Sequence, residues 1–92
     1  MKVIVIKEDN HGFIGVAASM TAAKRFLLVT DWVNAYTSLY VEEREDKDGE
    51  HWFPLIYLYG ENWKEAYMGF DTDLLANMGF YFHEVEVYKE EE

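Results

Sequence analysis

The chain opens with a stretch that is β-branched and apolar at almost every position, KVIVIKE at residues 2–8. A strand that is apolar at both its odd and its even positions is either covered on both faces or central in its sheet. The polar run DNHG at 9–12 suits a turn that needs positive φ, and residues 13–17 return as apolar. We therefore predict a hairpin, with Gly15 marking a bulge or a close backbone approach.

The pattern then changes to a helical period. Ser19 or Thr21 can cap a helix that continues through residues 22–29. Its apolar face carries Met20, Ala23, Phe26 and Leu27, with Lys24 and Arg25 directed elsewhere. Thr30 and Asp31 end this helix and could cap a short second one over residues 32–36.

Residues 39–43 alternate as a strand and residues 51–53 pair back with them, so we predict a second hairpin. Its connection, 44–50, has six charged residues and one glycine. Pro54 suits the start of a helical turn over 55–59 that ends at Gly60. Two further helices are predicted, at 61–68 and at 73–78, the second capped by Asp71 or Thr72.

Residues 80–89 form the clearest predicted strand, and its two faces differ. One face carries Tyr81, His83, Val85 and Val87, and the other carries Phe80, Phe82, Glu84, Glu86 and Tyr88. We expect the first face to join the core. The expected core is Val3, Val5, Phe26, Leu27, Leu75, Val85 and Val87.

These elements predict a single α+β domain over residues 1–89, followed by an acidic tail at 90–92. The order ββ-α-ββ-α-α-β favours an antiparallel sheet with helices packed on one face.

Composition excludes several classes of protein. Half of the 92 residues are hydrophobic and none is cysteine, which excludes disulfide frameworks and thiolate metal sites. No apolar run approaches the roughly 20 residues of a membrane span, and the first residues do not resemble a signal peptide. We expect a cytoplasmic protein, in whichever cell makes it.

The formal net charge is −10, and its distribution is uneven. Residues 1–41 contain four basic and three acidic side chains, whereas residues 42–92 contain four basic and fifteen acidic ones. Such a surface repels nucleic acid and membrane phosphate and attracts a basic partner. Solubility alone could also account for the charge.

Candidate chemistry is sparse. His11, His51 and His83 have no metal-ligand spacing, and the run DKDGE at 46–50 fails the calcium-loop pattern because Tyr57 stands at position twelve. Glu84 and Glu86 lie roughly 6.6 Å apart along one strand face, a spacing that could suit acid–base work. A chain this short offers little room for a pocket, so we predict no catalytic residue, metal or cofactor and a protein that is not an enzyme.

The acidic half is also the aromatic half, with eleven of the sixteen aromatic residues after residue 50. Tyrosine and tryptophan beside charge are typical interface anchors, although a tyrosine-rich core would use the same residues. The predicted partner-binding residues are Glu42, Glu43, Glu45, Asp46, Asp48, Glu84, Glu86, Trp52, Tyr57, Tyr59, Trp63 and Tyr88.

Three stretches carry a resemblance: KVIVIKEDNHG at 2–12, YGENWKEAY at 59–67 and FYFHEVEVYKEEE at 80–92. In organisation the chain is similar to short accessory proteins of phages and mobile elements of Gram-positive bacteria. Several of these are anti-defence factors, including anti-CRISPR inhibitors that imitate the charge of nucleic acid. The resemblance implies that this chain blocks a nucleic-acid-binding bacterial enzyme, and it transfers no residue role.

Three functions therefore remain as hypotheses. The first is an acidic inhibitor that occupies the basic nucleic-acid-binding surface of a bacterial defence protein, such as a CRISPR effector nuclease. The second is a non-catalytic regulatory or adaptor protein that acts through an aromatic interface or as a homodimer through its last strand. The third is a sponge for a small ligand.

Overall fold

The computed structural model describes residues 1–42 and 50–88, without the side chains of residues 41, 42, 50 and 51. The strands are β1 (Lys2–Glu8), β2 (Gly12–Ala17), β3 (Ser38–Glu42), β4 (Glu50–Pro54) and β5 (Phe80–Glu86). The helices are α1 (Met20–Val29), α2 (Leu55–Tyr59), α3 (Trp63–Met68) and α4 (Thr72–Asn77), with one 3-10 turn at Gly60–Asn62.

The larger sheet is antiparallel in the order β2-β1-β5, so β1 is the central strand. A central position was one of the two interpretations of its apolar sequence. The turn into β2 places Gly12 at a φ of 70°, as the sequence predicts. The register of β1 with β2 shifts between Ile6 and Lys7, which leaves Ile14 as an extra residue on β2. This bulge lies beside Gly15, where the sequence marks one.

Helix α1 begins at Ser19, whose hydroxyl accepts the amide N–H of Ala22, and it packs on one face of the larger sheet. Gly15 permits this contact, because a Cβ there would lie 2.7 Å from the ring of Phe26. Ala23 and Leu27 are fully buried under the sheet, as their spacing predicts. Phe26 and Met20 complete the face as partly buried residues.

The predicted core is wrong in its choice of strand face. Ile4 and Ile6 of β1 are buried, whereas Val3 and Val5 are only half-buried on the opposite face. On β5 the buried residue is Phe80, and Val85 and Val87 are 40% and 41% exposed. Since both faces of β1 are β-branched, alternation could not indicate which face the helix covers.

Helix α3 is anchored on α1 by a buried tyrosine and a lysine. Tyr67 is fully buried, and its hydroxyl donates to the carbonyl of Lys24 at 2.9 Å. Lys24 donates in turn to the carbonyls of Met68 and Phe70, at 2.9 and 2.6 Å. A lysine at the end of a helix satisfies carbonyls that lack partners there, so Lys24 is half-buried between helices rather than directed away from them.

Strands β3 and β4 form a separate two-stranded sheet, so the strands divide between two sheets instead of joining one. Before β3, residues 32–36 form turns and not the predicted short helix. Asp31 adopts a φ of 65°, and the amide of Val33 returns to the carbonyl of Leu27 at 3.0 Å, which reverses the chain. This reversal leaves the backbone of residues 35 and 37 free to accept bonds from α2.

The α+β class is confirmed, and the order of elements roughly matches the predicted one, with the favoured helical turn present as α2. Gly60 and Gly79 have positive φ where two of the predicted stops lie. Asp71 caps α4 through the amide of Leu74. Within residues 1–42 and 50–88, no helix has the length and apolar character that crossing a membrane requires.

Candidate partner-binding surfaces

Glu84 and Glu86 project from β5 at the end of the sheet that lies farthest from the β1–β2 turn. Both are exposed, and each has a nearby positive group. Lys2 Nζ lies 3.4 Å from Glu84 Oε1, and the terminal amino group of Met1 lies 3.1 Å from Glu86 Oε1. These exposed ion pairs add little stability, typically 0–1 kcal/mol each, so a partner's cation could replace them.

The described acidic surface extends beyond β5 to helices that the sequence analysis did not include. All six carboxylates between residues 52 and 88 are exposed, and Lys64 is the one lysine or arginine among them. Four of the six were not among the predicted partner-binding residues, namely Glu61, Glu65, Asp71 and Asp73. These four carboxylates lie at helix starts, where a negative charge stabilises the helix dipole. That structural role accounts for their positions in the sequence, so they did not stand out as candidate binding residues.

The five predicted aromatic anchors differ in exposure. Trp52, Tyr57 and Tyr88 are exposed, and Tyr57 stacks on Phe53 with ring centroids 5.5 Å apart. Tyr59 and Trp63 are partly buried against the core, which is the tyrosine-rich core alternative. Trp52 belongs to the smaller sheet and Tyr57 to α2, whereas Tyr88 lies two residues beyond the end of β5, which carries Glu84 and Glu86.

Most of the predicted acidic footprint lies outside the described residues. Glu43, Glu45, Asp46 and Asp48 belong to the segment 43–49, and the predicted acidic tail belongs to 89–92. Glu42 ends β3, and its side chain is not described. The footprint through these residues remains a prediction.

The face of the larger sheet opposite α1 is mostly apolar and is exposed at most of its positions. We call it the open face, and it consists of Val3, Val5, Lys7, Phe13, Val16, Tyr81, His83 and Val85. It contains no carboxylate, although the chain carries a net charge of −10. Phe13 is 62% exposed there. Val3, Val5 and Val85 of this face were predicted to lie in the core, so the face was not predicted as a surface, although the apolar character of both faces of β1 was a signal.

The residues of the turn between β1 and β2 make side-chain hydrogen bonds on both faces of the sheet. Glu8 accepts the amide of Asn10 and contacts Nδ1 of His11, and these bonds hold the pKa of the Glu8 carboxyl below its ordinary value. On the other side of the turn, a hydrogen bond to Asp9 raises the pKa of Tyr81. His11 also packs edge-on against Trp32, with ring centroids 4.9 Å apart.

No pocket is found within the part of the chain that the structure describes. The same residues contain no cluster of three or more histidine and carboxylate side chains that could hold a metal ion. Comparison of the chain with protein-family models, curated proteins and solved structures gives no match. The described residues therefore offer three features that bear on function, namely the exposed carboxylates, the exposed aromatic rings and the open face.

Proposed function

We propose that the chain is an acidic, non-catalytic inhibitor that binds the basic nucleic-acid-binding surface of a bacterial defence enzyme. The observation that carries this proposal is the position of the charge. All six described carboxylates after residue 51 are exposed, and the same stretch of chain contains one lysine and no arginine. A partner that binds phosphates through lysine and arginine offers the complementary surface.

The two parts of such an interface act on different rates. Exposed carboxylates at Glu61, Glu65, Glu84 and Glu86 speed the encounter with a basic surface. Exposed rings such as Trp52 and Tyr57 supply contact area that slows dissociation. The proposal therefore expects a salt-dependent association rate and a dissociation rate that depends on the aromatic residues.

A salt-resolved capture experiment tests the proposal. The immobilised chain is incubated with a nuclease-treated bacterial lysate at low and at raised salt, and bound proteins are identified by mass spectrometry. We expect a nucleic-acid-binding protein that is retained at low salt and released at raised salt, and that loses its DNA or RNA when the chain is added. A captured partner that keeps its nucleic acid, or binding without salt dependence, would contradict the inhibitor.

A matched pair of variants separates local charge from total charge. Glu84→Gln with Glu86→Gln and Ala18→Lys with Thr21→Lys each change the net charge by two units. Ala18 and Thr21 are exposed and lie in the half of the chain with little excess charge. We expect the glutamine pair to slow association more than the lysine pair. Equal slowing would mean that total charge, and not an acidic surface, governs binding.

An adaptor that acts through an aromatic interface is the second candidate. It is favoured by the open face and by Tyr57, which is 73% exposed although it stacks on Phe53. Exposed apolar surface of this kind is typical of protein–protein contacts. The capture experiment distinguishes the two, because an apolar interface keeps its partner at raised salt.

A further inference from the structure

The two edges of the larger sheet are protected unequally. β2 contains Gly12 and Gly15 and the bulge at Ile14, all of which disturb the ladder that a further strand would need. β5 contains neither glycine nor proline, and its register with β1 runs without a shift from Glu86 to Phe80. β5 is therefore the edge of this sheet that can accept another strand.

The backbone groups that face outward on β5 follow from two hydrogen bonds that flank the strand. The amide of Val87 donates to the carbonyl of Met1, and the amide of Asp9 donates to the carbonyl of Gly79. In an antiparallel ladder, such bonded pairs recur at every second residue. Odd-numbered residues of β5 therefore bond to β1, and Phe82, Glu84 and Glu86 direct their amides and carbonyls away from it.

These outward groups have no backbone partner within residues 1–42 and 50–88, because β5 pairs with β1 alone. The side chains beside the edge differ on its two sides. Glu84 and Glu86 flank the edge on the side of the sheet that α1 covers, and His83 and Val85 flank it on the open face. An added strand would meet carboxylates on one side and mostly apolar groups on the other.

We propose, on the basis of the proposed function, that the partner adds an extended basic segment to the free edge of β5. The segment runs antiparallel to β5, with lysine or arginine opposite Glu84 and Glu86 and apolar residues opposite His83 and Val85. Main-chain hydrogen bonds supply affinity in this mode, and alternate side chains supply specificity. The cations of the segment replace Lys2 and the terminal amino group beside the two carboxylates.

Charge complementarity favours such a segment over a second copy of this chain. Two β5 strands that pair about Glu84 would set that carboxylate against its own counterpart, and directly opposed like charges destabilise a sheet. Each copy would also bring a net charge of −10. A basic segment meets neither obstacle.

A synthetic peptide that alternates lysine with valine, acetylated and amidated at its ends, is the probe. Titration into the isotopically labelled chain is followed by amide hydrogen exchange in NMR. We expect slower exchange at the amides of Phe82, Glu84 and Glu86, which face outward, and little change at His83 and Val85, which already bond to β1. Absence of binding, or protection without this alternation, overturns the proposal.

Two N-methylated forms of the peptide give a matched control. In the proposed register the lysine amides face β5 and the valine amides face solvent. Methylation of the lysine amides should weaken binding at least about tenfold, and methylation of the valine amides should weaken it much less. Equal weakening by both forms overturns strand addition.

On the chain, Glu84→Pro blocks the edge and Glu84→Gln is its control for charge. Proline removes an outward amide that no strand uses, and edge strands tolerate it there. We expect Glu84→Pro to bind the peptide at least about tenfold more weakly than Glu84→Gln. Sedimentation that shows a dimer broken by Glu84→Pro would assign the edge to a second copy and overturn the proposal.

The outcomes also separate this inference from the proposed function. Salt-dependent capture of a basic protein equally by the parent and by Glu84→Pro rejects strand addition and leaves the acidic inhibitor standing. Peptide binding at β5 with no nucleic-acid-binding partner in the lysate supports strand addition and rejects the acidic inhibitor.

Discussion

The two faces of the three-stranded sheet are built from the same strands and nearly the same residue types, yet they have opposite surroundings. On the covered face, Ile4 and Ile6 meet α1 and are buried. On the open face, Val3 and Val5 have similar side chains, but none of the described helices packs above them. Covering by a helix, and not hydrophobicity alone, therefore decides which residues of this sheet form the core.

The two faces also differ in how much they contribute to the stability of the fold. The covered face contributes to the free energy of unfolding through burial, about 25 cal/mol for each Å² of apolar surface removed from water. The open face leaves much of its apolar surface in water and so contributes less to the free energy of unfolding. Substitutions on the two faces should consequently affect stability to different extents.

Ile6→Ala should have the largest effect on stability. Ile6 is fully buried, and truncation of such a side chain removes transfer free energy and leaves a cavity, which together cost about 3–4 kcal/mol. Its neighbour Val5 on the open face is the matched control, and Val5→Ala should cost about 1–2 kcal/mol. Denaturant unfolding of both variants measures the difference, and equal losses would show that both faces are covered.

Gly15→Ala should cost about 1–3 kcal/mol, because overpacking of a tight contact forces side chains from their preferred positions. The added Cβ would lie 2.7 Å from the ring of Phe26, which is the point where α1 approaches the covered face. Phe26→Leu in the same chain should recover part of the loss. A Gly15→Ala variant with unchanged stability would mean that α1 lies farther from the sheet.

Val85→Asp should cost only about 1 kcal/mol, since Val85 is 40% exposed on the open face and aspartate is a poor strand residue. Had Val85 belonged to the core, as the sequence analysis expected, a buried charge would have cost roughly 3 kcal/mol or more. Thermal melting distinguishes the two values. A loss near the larger value would restore the original assignment of the faces.

Local signals in the sequence indicated most of the elements, but not their relative placement. Ser19 and Asp71 were each one of two residues predicted for the cap, and the turn at Gly12 was predicted to need positive φ, because these features depend on neighbouring residues. The choice between Ile4 and Val3 as core residues depends on where α1 lies, which alternation within β1 does not encode. The same limit placed Val85 in the core and hid the open face as a candidate binding surface.

Glu8→Gln should have the smallest effect, and its pH dependence tests the turn that joins the two faces. The amide of Asn10 and the ring of His11 hold the pKa of the Glu8 carboxyl below its ordinary value. A carboxyl with a lowered folded-state pKa stabilises the fold above its unfolded pKa, and this contribution is lost as the pH falls through the folded value.

The parent should therefore melt above Glu8→Gln at neutral pH. The gap should shrink as the pH falls below the unfolded-state pKa of the carboxyl and close as the pH passes the lowered folded-state pKa, where the parent's carboxyl becomes neutral. Glu65→Gln, which removes an exposed carboxylate on α3, is the control for the loss of one negative charge. Thermal melts from neutral to acidic pH supply the measurement. A gap of the same size at both ends of that range would mean that the shape of the Glu8 side chain, and not its charge, holds the turn against the covered face.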